Sequence, residues 1–64
     1  MCQSSAYLIK EDGREELVME DVNIVKPRGA QILMVDILGT EKLIAARIKE
    51  LQLVDHRIIL EEVD

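Results

Sequence analysis

Cys2 stands directly after Met1 in a chain that has one Cys and one His. The position puts a thiol beside the terminal amine. With Met1 retained, the Met1 amine, the deprotonated Cys2 amide nitrogen and the Cys2 thiolate close consecutive chelate rings. With Met1 removed, the Cys2 amine and thiolate close one five-membered ring. Either set is planar nitrogen–sulfur chemistry, which suits Ni(II) or Cu(II) and does not by itself separate the two. Amine and thiol have reference pKa values of about 8 and 8.5. Both must lose a proton to bind, so affinity should fall as pH drops. The bland reading of such a residue is an inert thiol.

His56 is the second candidate, as a metal ligand or a base. It lies in Leu53-Val54-Asp55-His56-Arg57, with no second His or Cys near it. The simpler role is a turn residue whose ring meets a local carbonyl or Asp55. Glu11, Asp12, Glu15 and Glu16 form an acidic cluster, read as solvated surface with a weak hard-cation site as the alternative. The ending Glu61-Glu62-Val63-Asp64 resembles the tail that chaperones offer to tetratricopeptide-repeat domains. It also reads as a β-strand running into an acidic end.

Composition limits what can stand behind these residues. At 64 residues the chain is one domain, 1–64. A single Cys excludes an intrachain disulfide. One Cys and one His exclude a four-ligand Cys/His zinc site within one chain. Ser/His/Asp or Cys/His catalysis has almost no material, so an enzyme is not expected. The net charge is −5 and the one aromatic is Tyr7. A basic face and a stacking platform are both missing, so nucleic acid is not the expected partner. No run reaches the ~18 apolar residues of a membrane span. No basic segment followed by an apolar stretch opens the chain, and the expectation is a cytoplasmic protein with a reduced thiol. A domain this small buries only ~60% of its unfolded surface, and oligomerisation is the expected remedy.

The elements that must carry Cys2 are short and β-rich. Ser5–Lys10 reads as a strand. Asp12-Gly13 between apolar runs predicts a hairpin back into Glu15–Met19. Glu20-Asp21 interrupts, and Val22–Lys26 continues through a bend or bulge. Lys26-Pro27-Arg28-Gly29 suits a type I turn, and Asp36-Ile37-Leu38-Gly39 repeats the logic. Gln31–Asp36 and Asp55–Glu62 are further strands. Turns about every ten residues predict a small all-β barrel or sandwich. Glu41–Leu53 is ambiguous. Leu43, Ile44, Ile48 and Leu51 share a helical face, while Ile44, Ala46 and Ile48 alternate as a strand would. Two strands carry aliphatics on both faces: Ile32 and Met34 against Leu33 and Val35, and Ile58 and Leu60 against Ile59. The second face needs a cover, and a symmetric homodimer supplies one. A two-fold axis at the chain starts would bring two Cys2 thiolates to one ion.

Met1-Cys2, Leu17-Val18-Met19-Glu20-Asp21-Val22, Arg47-Ile48-Lys49-Glu50-Leu51 and Asp55-His56-Arg57-Ile58-Ile59-Leu60 together resemble the CooT family. These are nickel-binding accessory proteins of carbon monoxide dehydrogenase maturation. The resemblance spans essentially the whole chain. It implies a homodimer of small SH3-like barrels, each of about five to six short strands. It implies Ni(II) held by Cys2 with N-terminal backbone nitrogens, Met1 included. The partners it implies are a client nickel metalloenzyme or its maturation factors. It makes Glu41–Leu53 mostly strand, with a short helical turn at Leu53–His56. Ala45-Ala46 stands where the resemblance implies a glycine. The alternative function is a small RNA-binding or protein-interaction module of the same fold without a metal role.

Overall fold

The computed structural model describes residues 3–63. Among them there are six strands and no helix: β1 Ser4–Ile9, β2 Glu15–Arg28, β3 Gln31–Asp36, β4 Glu41–Ile44, β5 Ala46–Gln52 and β6 Arg57–Glu62. They form one sheet in the order β4-β3-β2-β1-β6-β5. All neighbours are antiparallel except β1 and β6, which run parallel. The two edge strands, β4 and β5, follow one another in the chain with only Ala45 between them. The sheet therefore curls until its two edges converge on that residue. Val63 N–H donates to the Ala45 carbonyl at 3.2 Å, fastening the bend to the end of β6. The all-β expectation holds, and Glu41–Leu53 is two strands broken at Ala45.

Two turns follow directly from local chemistry. In Lys10–Arg14, the Gly13 N–H donates to the Lys10 carbonyl and the Lys10 N–H to the Arg14 carbonyl, at 2.9 and 2.8 Å. In Asp36–Thr40, Gly39 donates to Asp36 and Asp36 to Thr40, both at 3.0 Å. Gly13 and Gly39 sit at φ 90° and 89°, where a side chain would clash with its own backbone. The Asp36 carboxylate also accepts from the N–H groups of Leu38 and Thr40 at 2.9 and 3.0 Å. These turns fall where the Asp and Gly spacing puts them.

The turn around Pro27 does not. β2 continues through Pro27 to Arg28, and the loop is Gly29-Ala30, with Arg28 paired to Gln31. Gly29 has φ 63°, as the first central residue of a II′-type hairpin requires. Arg28↔Gln31 closes the loop, so by ladder alternation Pro27↔Ile32 is a non-hydrogen-bonded pair. The missing N–H then faces away from β3, where β2 has already passed its last β1 partner, Val22. A proline is tolerated there.

β2 bends between its two pairing partners. Ala6 opposes Met19 and Ser4 opposes Val22, so β2 holds one extra residue at Asp21. Asp21 adopts φ 54°, the left-handed conformation that Asp tolerates better than most. The interruption expected at Glu20-Asp21 is therefore a bulge inside one 14-residue strand. It lets the second half of β2 leave β1 and carry β3 and β4 over the core.

That core is aliphatic. Ala6, Ile32, Met34, Ala46 and Leu60 are at most 1% exposed, with Leu8 and Met19 beside them. Each large aliphatic so buried contributes about 1.5–3 kcal/mol over exposure. β6 is covered on both faces within the chain, since Ile59 on the face opposite Leu60 is also buried. It therefore does not need a second subunit for its outer face, contrary to the sequence-based argument. β3 differs: Leu33 and Val35, opposite Ile32 and Met34, are only half-buried.

Candidate metal centre

Met1 and Cys2, the predicted metal ligands, lie outside the described residues. What the structure describes is the stretch of chain that follows them. Exposed Gln3 leads into β1. On one side, Ser4 is paired with Val22, immediately after the Asp21 bulge. On the other, the Ser5 N–H donates to the His56 carbonyl at 2.9 Å, and Ser5 sits opposite Arg57. The start of β1 is thus clamped between a bulge and a turn.

The turn is Leu53–His56. The His56 N–H donates to the Leu53 carbonyl at 3.3 Å, and His56 closes the turn at φ 54°. It is a single tight turn closed by one bond three residues apart, at the place where a turn is expected. His56 is half-buried, and among the described residues its ring has no hydrogen-bond partner, Asp55 included. Its visible work is done by its backbone. The left-handed conformation is one His adopts more readily than β-branched residues, a signal that sequence inspection passes over in favour of the imidazole.

Two loop tips lie toward the same end. Ile37 N–H donates to the Asp21 carbonyl at 2.9 Å, which brings the β3–β4 turn against the bulge. Leu38 is 87% exposed, and Leu53 and Val54 are 75% and 92% exposed. Composition alone gave no reason to expect aliphatics at these positions to face water.

The acidic residues do not converge on an ion. Among the described residues no three His, Cys, Asp or Glu side chains gather into a metal-binding group. Asp12 is taken by Arg14 at 2.7 Å, and Glu15 pairs with Arg57. Arg57 also lies over the Tyr7 ring, 4.5 Å from its centre. At the far end of β1, Glu62 pairs with Lys10 at 3.4 Å and accepts the Glu11 N–H at 3.1 Å. Glu61 pairs with Arg47 at 2.7 Å. Glu61 and Glu62 belong to β6, and the Val63 N–H is bonded to Ala45. The strand reading holds for Glu61 and Glu62, and Val63 is tied to Ala45 just beyond the strand end. Asp64 lies outside the described residues.

Comparison with known proteins adds three likenesses. Residues 1–61 match the family model described as CO dehydrogenase accessory protein CooT. The uncharacterized protein MJ1551 of Methanocaldococcus jannaschii is 34% identical over 61 residues, 95% of this chain and 98% of that protein. A crystal structure named for CooT, from Carboxydothermus hydrogenoformans, superimposes with a TM-score of 0.86 at 44% identity. It covers 98% of this chain and 100% of that one.

Proposed function

The chain belongs to the CooT family, and from that membership we propose that it binds Ni(II) as a homodimer and serves the maturation of carbon monoxide dehydrogenase. The observation that supports this reading is the pairing of family membership with Met1-Cys2 at the head of the chain. Cys2 supplies the thiolate, and the adjoining backbone nitrogens complete a planar arm. Two arms on a two-fold axis, each giving the ion its thiolate and one of those nitrogens, provide four nitrogen and sulfur donors, the number a square-planar Ni(II) takes. The role is that of a metallochaperone or nickel store, not a catalyst.

The ligands explain how such a site releases its cargo. Thiolate exchange and protonation both loosen the ion, and neither needs the barrel to unfold. The platform at Ser4 and Ser5 stays bonded to Val22 and His56 while the arm ahead of it changes partners. Titration of the protein with Ni(II) should give thiolate-to-metal charge-transfer absorption that saturates near one ion per two chains. Cys2→Ser should abolish the band and the binding. Tight binding retained by that variant would sink the reading.

A further inference from the structure

We infer that the outer face of β2, β3 and β4 is the surface on which a second copy of this chain packs, with Ile24 and Leu43 on the two-fold axis. The inference rests on the homodimer reading above and adds to it a surface and an orientation.

The register sets out the face. Lys26, Leu33 and Leu43 lie in one row across the three strands, and Ile24, Val35 and Glu41 in the next. Their alternates Val25, Ile32, Met34 and Ile44 belong to or pack on the core, so these six point outward. Ile24 and Leu43 are 41% and 51% exposed, and Leu33 and Val35 are half-buried. Four contiguous aliphatics therefore share a sheet face with a cation at one corner and an anion at the opposite corner. Arg28, one step beyond Lys26 on the same face of β2, extends the basic corner.

That diagonal of charge selects the occupant. Two copies placed face to face about the other diagonal, from Ile24 to Leu43, set Lys26 of each over Glu41 of its mate. Ile24 and Leu43 then meet their own symmetry mates, as an isologous contact requires. Continued past Ile24, the same diagonal leaves β2 and crosses toward β1 near its first residue, Ser4, the partner of Val22. An axis chosen only by charge complementarity thus passes toward the starts of the two β1 strands. The other outward row, Leu17-Tyr7-Ile59, lacks this logic: Ile59 is already buried and Arg57 covers Tyr7.

The test reads the dimerisation constant by sedimentation. Ile24→Glu should be monomeric where the parent chain is dimeric, with circular dichroism reporting its fold. Lys26→Glu and Glu41→Lys should each weaken association about tenfold, and the double reversal should restore it. In a Cys2→Ser background, Leu43→Cys should form a disulfide dimer on mild oxidation and Leu17→Cys should not. A parent dimer that persists unchanged in Lys26→Glu and Glu41→Lys, and that fails to cross-link through Leu43→Cys, overturns this surface and leaves the homodimer standing. A parent chain that is monomeric throughout overturns the homodimer reading and this inference with it.

Discussion

The Ser5 N–H donates to the His56 carbonyl at 2.9 Å, joining the start of β1 to the turn before β6. The bond makes His56 a positioning residue for the chain start through its main chain. His56 accepts that bond from the left-handed region, at φ 54°.

Substitution at His56 should therefore follow backbone preference rather than metal chemistry. His56→Val should cost about 1–2 kcal/mol in urea unfolding, because a β-branched residue resists the left-handed region. His56→Gly should lie within about 1 kcal/mol of the parent, relief of φ strain offsetting a larger unfolded-state entropy. Nickel affinity should be unchanged in folded His56→Gly. A large loss there would make the ring a ligand.

The two glycine turns should differ in their dependence on the neighbouring aspartate. Asp36 accepts two backbone N–H groups through one carboxylate oxygen. Asp12 accepts one, from Arg14. Asp36→Ala should cost about 1–2 kcal/mol and Asp12→Ala about half that, measured as a shift in denaturation midpoint. Equal effects would contradict this account of the turns.

Core and tip aliphatics should separate cleanly. Met34 is fully buried, while Leu38 is 87% exposed. Met34→Ala should cost about 2–5 kcal/mol through lost transfer energy and the cavity left behind. Leu38→Ser should stay within about 0.5 kcal/mol. Thermal unfolding of both variants checks this.

Nickel binding should carry a steep pH dependence. The bound state holds the donors deprotonated, so protons compete with the ion below the free donors' pKa values. Where each of the two chains gives up one amine and one thiol proton, four per ion, affinity should fall by up to about ten-thousandfold per pH unit well below about pH 7.5. Competition titrations at stepped pH read the slope, and a flat profile would exclude amine and thiolate as the ligands.

Much of the fold is legible along the sequence because its signals are local. Gly13 and Gly39 end turns whose hydrogen bonds span four or five residues, and the Asp-Gly spacing names them. Asp21 marks the bulge by interrupting an apolar run. Pro27 misleads for a related reason: its fixed φ suits a turn and a strand alike. Only the end of β1 pairing at Val22 leaves room for a proline in β2. Glu41–Leu53 carries both periodicities, and local preference does not choose between them.

By itself, the sequence determined the residues available: one thiol, at Cys2, one imidazole, at His56, and a β-forming chain punctuated by glycine turns. These depend on residue type and short spacing. Tertiary structure decided where that chemistry is presented. It broke Glu41–Leu53 at Ala45, because its halves pair with β3 and β6 on opposite edges of the sheet. It covered both faces of β6 within one chain and left the outer face of β2–β4 uncovered. It also set the start of β1 between Val22 and His56, residues 18 and 51 positions away from their partners Ser4 and Ser5. Pairings of that separation are selected by burial of the whole sheet, a free energy that no window of neighbouring residues contains.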